Sequence, residues 1–329
     1  MLTSLHIQEF KGLRDINIPE LRKVNLILGG QNVGKTSLLE AIVFVAGDIE
    51  SNSSPGSRHL LPEMFRPSEG GDSMRFWKAI VGTEQNPNAV KVLSMLDGAN
   101  YEVAGFIRGK ITSVPIAIPV NTGGSIRLIT GSSAGAVSFC PSPASSPIPF
   151  SILRKTASEQ VTLYGKLVTQ KKKKSVLSLL RKIDYRIDGI DAVAPDGEHR
   201  IYVEMSDSNE LLPISQLGHG FTRLFELYAG LAVTDSKLAL IDEIENGIHY
   251  SALPTLFQGV RELSESNDVQ SIITTHSLEC IKSAYEVFED KLKDFQMIRL
   301  ERSDDGSTRA VVIADENLKT VMEAGWEIR

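Results

Sequence analysis

Residues 24–37 read VNLILGGQNVGKTS: a short, mostly apolar run, a glycine-rich turn, and the opening of the helix-forming stretch LLEAIVFVA. Gly29, Gly34, Lys35 and Thr36 fit G-x-x-x-x-G-K-[ST] without a gap. A five-residue apolar run such as Val24–Leu28 suits a strand buried on both faces, as in a parallel sheet covered by helices. The glycines let successive backbone N–H groups turn inward around an anion, and the following helix aims its positive end at the same point. Gly29, Gly30, Gln31, Asn32, Val33, Gly34, Lys35, Thr36 and Ser37 therefore form the expected cradle for a nucleotide triphosphate. Lys35 would reach the β- and γ-phosphates, and the Thr36 hydroxyl would ligate Mg²⁺. Ser37–Ala46 reads as the helix, with Gly47 as its stop.

Three downstream segments have the chemistry such a loop requires. In LALIDEIENGIH (238–249) an apolar strand ends in Asp242 and Glu243. Asp242 would hold the metal, directly or through water, and Glu243 would polarise the attacking water. Glu245 competes for that role from the same short loop. In QSIITTHS (270–277) a β-branched run ends at His276, which a parallel sheet would bring to the same carboxyl edge to contact the γ-phosphate or the water. In ISQLGHGFTRLFELYAGLA (214–232), Ser215, Gly218 and Gly220 precede an amphipathic helix with Leu224, Phe225, Leu227, Tyr228 and Leu231 inward. A hydroxyl and glycine N–H groups at a helix start make a second anion site. One nucleotide needs one cradle, so the second would serve a γ-phosphate bound to another copy of the chain.

This order of motifs resembles the ABC-type ATPase heads, in the branch that holds the SMC proteins and the overcoming-lysogenization-defect (OLD) nucleases. LHIQEFKGLRDINI, GGQNVGKTSLLEAI, LPISQLGHGFTR, LIDEIENGIHYSAL and TTHS are all similar to OLD-like prokaryotic ATPases, and they span both ends of the chain. The resemblance implies ATP and Mg²⁺ as ligands and a homodimer closed around ATP, with larger assemblies left open. It places Lys35 and Thr36 in cis, and Ser215, Gly218 and Gly220 across the interface. It makes ENGIHYSAL the loop through which subunits touch. The signature departs from the transporter form, reading SQLGHG rather than LSGGQ. Gln85 and Gln160 are candidates for a glutamine loop without supporting context. Heptads for a long coiled coil are missing, as is an acidic cluster after His276 for a TOPRIM nuclease, so the chain reads as an ATPase head without its own nuclease. Two functions follow from the resemblance. One is a switch for a separate effector, such as a nuclease in anti-phage defence. The other is a DNA-engaging repair or recombination ATPase. A transporter subunit is disfavoured by the signature.

The rest of the chain sets the frame. At 42% hydrophobic and 23% charged it has ordinary globular composition. No apolar run reaches the length of a membrane span, the N-terminus lacks a secretory layout, and Leu5, Ile7 and Phe10 alternate as in a strand. Cys140 and Cys280 have no metal-type spacing and suggest a reducing, cytoplasmic setting. A net charge of -6 argues against a protein coated in nucleic acid. Lys171–Lys174 reads either as a phosphate-backbone contact or, the favoured reading, as the solvated start of an amphipathic helix bearing Val176, Leu179, Leu180 and Ile183. Residues 48–75 read as a loop with a short helix, FWKAIVG and VLSMLDG as short helices, and 121–149 as an excursion or a string of short strands. The tail FQMIRLERSDDGSTRAVVI reads as a hairpin about Asp304-Asp305-Gly306 before a short helix. The expected fold is α/β: one ABC-type ATPase domain over 1–329, a mixed sheet with a parallel P-loop core, an antiparallel N-terminal strand layer, and a helical insertion within 48–190.

Overall fold

In a computed structural model of the chain, residues 1–46, 155–234, 237–303 and 306–324 are described, along with the backbone of the strands between 88 and 150. Strands β1 (Leu2–Phe10) and β2 (Leu13–Ile18) form a hairpin in which Leu2, Leu5, Ile7, Phe10, Leu13, Ile16 and Ile18 face inward. β3 is Val24–Leu28, buried at every position, and α1 (Lys35–Ala46) follows the glycine turn. β4 (Asn88–Leu96) pairs with β1, and β5 (Ala99–Ile107), β6 (Ile116–Val120), β7 (Ser125–Thr130) and β8 (Ser133–Phe139) extend the same antiparallel layer. Its order is β2-β1-β4-β5-β8-β7-β6.

Two expectations change here. VLSMLDG is not a short helix: its residues 92–96 lie in β4, because β1 offers an edge whose ladder they complete. Of the two readings for 121–149, the strand reading holds wherever the segment is described. The helical part of 48–190 is α2 (Ala157–Thr169) and α3 (Lys173–Ile183). A reciprocal capping box between Thr156 and Glu159 starts α2. FWKAIVG, residues 48–75, Gly47, Gln85 and Cys140 lie outside the described residues.

The core sheet has the order β16-β15-β3-β14-β13-β9. Its members besides β3 are β9 (Ile148–Phe150), β13 (Leu238–Ile241), β14 (Gln270–Thr274), β15 (Phe295–Arg302) and β16 (Thr308–Ile313). β15, β3, β14, β13 and β9 run parallel, and β16 closes the tail hairpin antiparallel to β15. Ile27 lies opposite Thr274, and Ile273 opposite Ile241, so β3, β13 and β14 end on one edge.

Between the two layers of motif the chain builds a third, antiparallel sheet from β10 (Ile187–Val193), β11 (Arg200–Met205) and β12 (Leu212–Pro213). The remaining helices are α4 (His219–Val233), α5 (Leu253–Ser266), α6 (Leu278–Phe288) and α7 (Asp315–Glu323). α4 is the central one, with Leu224, Phe225, Leu227, Tyr228 and Leu231 all buried. Among the described residues no helix is long and apolar enough to cross a membrane.

Candidate nucleotide site

The turn after β3 can be made only with glycine at two places. Gly29 has φ +141°, and a Cβ there would lie 2.6 Å from the Leu300 carbonyl oxygen of the neighbouring strand. Gly34 has φ +100°, and its Cβ would lie 2.5 Å from Leu13 Cδ2 of the β1–β2 hairpin. Asn32 takes φ +60°, a conformation asparagine tolerates better than most residues. The antiparallel layer thus presses one side of the loop and β15 the other. Lys35 opens α1, and its Nζ donates to the Gly29 and Gly30 carbonyl oxygens, 2.7 Å each. Burial lowers its pKa, opposed by the charges of Glu243, Asp242 and Glu245. The one lysine of the loop therefore faces three carboxylates that lie more than 200 positions later in the chain.

Asp242 leaves the end of β13 and is 3% exposed. Its Oδ2 accepts from the Thr36 hydroxyl at 3.0 Å and its Oδ1 from the Thr274 hydroxyl at 2.6 Å. The Thr36 hydroxyl and the Asp242 carboxylate thus meet at one point, both hard oxygen donors, and that donor set fits Mg²⁺. Glu243 adopts φ +46°, unusual for a side chain of its size. Two groups hold it there: its N–H donates to Thr274 Oγ1 at 2.8 Å, and its carbonyl accepts from Arg223 Nη2 at 3.0 Å. Such strain costs roughly 1–3 kcal/mol and persists where surroundings enforce it. Among the described residues the Glu243 carboxylate takes no protein hydrogen bond. His276 follows β14; its N–H donates to Glu245 Oε1 at 3.0 Å and its Nδ1 lies 3.2 Å from the same oxygen.

Thr274 and Arg223 were not singled out in the sequence. Thr274 could have been, as a hydroxyl ending a strand beside the strand that ends in Asp242. Arg223 carries no such signal. It sits on α4, three residues after Gly220, with its pKa lowered by burial and supported by Glu226, Glu245, Glu243 and Asp242.

The signature segment forms the turn and the helix start that precede Arg223. Ser215 belongs to a 3₁₀ turn, Ile214–Leu217, and Gly218 with φ +90° starts α4. Ser215, Gly218 and His219 are exposed, and among the described residues no hydrogen bond joins Ser215 or Gly218 to the P-loop. Gly220 is needed for close approach: a Cβ there would lie 2.8 Å from the Gly247 carbonyl oxygen. The loop 245–250 that follows the carboxylates presents Tyr250, 67% exposed, with its ring against His249. Of the two glutamine-loop candidates, Gln160 is buried, and its amide donates to Glu226 Oε1 at 2.8 Å.

A parallel core carrying a P-loop, an acidic strand end and a distal histidine on one edge, with an antiparallel layer over it, is the α/β fold of a P-loop NTPase of ABC-head, SMC-like type. Comparison with known proteins agrees. The SMC head domain from Thermotoga maritima aligns with a TM-score of 0.50 at 16% identity, covering 95% of this chain and 99% of that one. An SmcHead bound to the C-winged helix domain of ScpA aligns with a TM-score of 0.55 at 14% identity, covering 97% and 99%. At these identities the likeness is one of fold. A family described as "AAA domain, putative AbiEii toxin, Type IV TA system" matches residues 157–281, from α2 through Asp242 and His276 into α6. Over 333 aligned positions the chain is 20% identical to a Helicobacter pylori protein named "ATP/GTP phosphatase", covering 88% of this chain and 89% of that protein.

Proposed function

We propose that this chain is a Mg²⁺-dependent ATPase that closes a homodimer around ATP and thereby switches a separate effector. The observation that carries the reading is the meeting of Lys35, Thr36, Asp242 and a strained Glu243 at one sheet edge, while Ser215 and Gly218 stay exposed with no hydrogen bond to the P-loop among the described residues. In this reading the N–H groups of 29–37 and the Lys35 ammonium bind the β- and γ-phosphates. Thr36 and Asp242 hold Mg²⁺, which when bound neutralises phosphate charge. Water attacks the γ-phosphorus, Glu243 takes its proton, and the bond to the β-phosphate oxygen breaks, giving ADP and phosphate. His276 contacts the γ-phosphate. Glu245 competes poorly as the base, since its Oε1 serves His276 and its Oε2 is buried.

Ser215, Gly218 and Gly220 then serve ATP held by the partner copy, with the 245–250 loop at the interface. The matched family's name includes a toxin–antitoxin system, and one structural neighbour is a head bound to a domain of another protein. Both support a two-part system in which the effector is a separate protein, such as a nuclease in anti-phage defence. The DNA-repair alternative draws on Lys171–Lys174. It is weakened because Lys172 donates to Asn267 at 3.0 Å and Lys173 pairs with Asp191 at 2.5 Å, leaving Lys171 and Lys174 exposed.

The test is the mass of Glu243→Gln protein in solution. It should be dimeric in Mg-ATP and monomeric in Mg-ADP, and Ser215→Arg should abolish the dimer while leaving ATP bound. A monomer in saturating Mg-ATP would overturn the sandwich. Retrieval of the tagged variant from its host with a stoichiometric protein supports the switch; retrieval with nucleic acid alone transfers the case to the repair reading.

A further inference from the structure

Glu245 lies on the same loop as the proposed base yet makes different contacts. Its carboxylate turns toward the next loop of the sheet. β13 and β14 are adjacent and parallel, so the segments leaving their ends run side by side. Across that gap Glu245 Oε1 accepts the main-chain N–H of His276 at 3.0 Å and lies 3.2 Å from His276 Nδ1. One oxygen therefore holds the backbone of His276 by a hydrogen bond and lies beside its ring nitrogen at ion-pair distance. The Glu245 side chain is 11% exposed and the His276 side chain 48% exposed, so a nearly buried group anchors one that reaches outward. Among the described residues its second oxygen, Oε2, is buried with no hydrogen-bond partner.

We propose that Glu245 is the positioning residue of His276. Its carboxylate beside the ring favours a proton on Nδ1, which leaves Nε2 for the phosphate site. When one ring nitrogen donates to a fixed acceptor, the tautomer and the direction of the other nitrogen are set together. Outer partners of this kind orient a working histidine at a cost of about 10–100-fold when removed. The competing reading is a plain staple between two loops, which would act on stability and leave the chemistry alone. The proposal rests on the ATPase reading for its kinetic effect, but not for its spectroscopic one.

A double-mutant cycle separates the readings. Glu245→Ala should lower kcat about 10–100-fold, nearly as far as His276→Ala, with KM changed little and fluorescent-ATP binding kept. The double variant should be no slower than His276→Ala alone, because residues acting as a unit are not additive. Glu245→Gln retains an acceptor oxygen for the His276 N–H and beside its ring, and should recover most of the lost rate. Losses that multiply in the double variant would overturn the proposal, as would a Glu245→Gln variant as slow as the alanine one. Independently of any turnover, ¹⁵N spectra of the His276 ring should show the Nδ1–H tautomer in the parent. In Glu245→Ala they should show a shift toward Nε2–H. An unchanged ring spectrum overturns the positioning role even if the ATPase reading stands; a changed spectrum in a protein that does not hydrolyse ATP overturns only the latter.

Discussion

The core sheet carries polar groups at both of its edges, and the two edges are wired differently. At the edge where β3, β13 and β14 end, Asp242, Glu243 and Glu245 gather around Lys35 and Arg223, and two non-glycine residues, Asn32 and Glu243, hold positive φ. At the opposite edge the groups are mostly neutral amides that close on backbone. Asn25 is fully buried; its Oδ1 accepts from Arg22 N–H and from Gln296 Nε2, both at 2.8 Å, and its Nδ2 donates to Arg22 O at 2.6 Å. The Gln270 amide accepts from Leu2 N–H and donates to the carbonyls of Leu2 and Arg22, all at 2.8 Å, bolting the antiparallel layer to the core. Arg22 extends this edge to Asp315 through two hydrogen bonds. Neutral groups that satisfy one another need no further ligand. Positive φ does not separate the edges, since Asp268 and Asp315 at the amide edge also hold it; carboxylates held by hydroxyls suit a cation and a polyphosphate that arrive later. On the proposed reading, the contrast puts chemistry at one edge and stability at the other.

The largest expected effect lies at the first edge. Glu243→Gln should reduce ATP hydrolysis by about 10²–10⁴-fold while ATP affinity and the unfolding midpoint hold, since the amide keeps the backbone contacts of residue 243. Retained turnover would move the base to Glu245. The mirror experiment is Asn25→Ala. It leaves the Arg22 N–H and one Gln296 amide proton without their acceptor and should cost on the order of 3 kcal/mol in denaturant unfolding, with specific activity of the folded fraction unchanged. A rate loss beyond the loss of folded protein would break the division between the edges.

Gly34→Ala should fall between the two. The substituted residue would be strained at φ +100° and would push on Leu13, costing about 1–3 kcal/mol. Because the loop and the hairpin beneath it would shift together, stability and nucleotide affinity should decline in parallel, as read by melting and by titration with a fluorescent nucleotide.

How legible each edge is in the sequence follows from the same difference. The carboxyl edge is built from contiguous motifs, so β3, the glycine turn, Asp242, His276 and the tail hairpin could all be read from local pattern. The amide edge is built from single residues. Asn25 meets Ser271 and Gln296 across 246 and 271 positions, and Gln270 meets Arg22 and Leu2 across 248 and 268; an isolated asparagine or glutamine in an apolar run announces nothing. β4 was misread because VLSML alternates too weakly to select strand over helix; its partner β1 decides. Arg223 escaped notice because its role depends on two carbonyl groups, and carbonyls leave no trace in a sequence.

Glu226 belongs to neither class and gives the smallest and most discriminating test. It is 6% exposed on α4, close enough to Arg223 to share its charge, yet its hydrogen bond comes from a neutral amide, that of Gln160. Burial raises its pKa, against the lowering effect of Gln160 and nearby Lys155 and Arg223. The folded chain therefore holds a proton that the unfolded chain has released above the ordinary carboxylate range. Stability then falls as pH rises from that range through the raised value, and stays lower above it. Glu226→Gln cannot ionise and keeps an acceptor for Gln160. It should match the parent in urea unfolding near about pH 4 and exceed it near about pH 8. If the variant instead loses stability at the higher pH, Glu226 is ionised in the fold. It then counts with Asp242, Glu243 and Glu245 as part of the charge that holds Arg223, and the catalytic edge reaches one turn deeper into α4 than its motifs suggest.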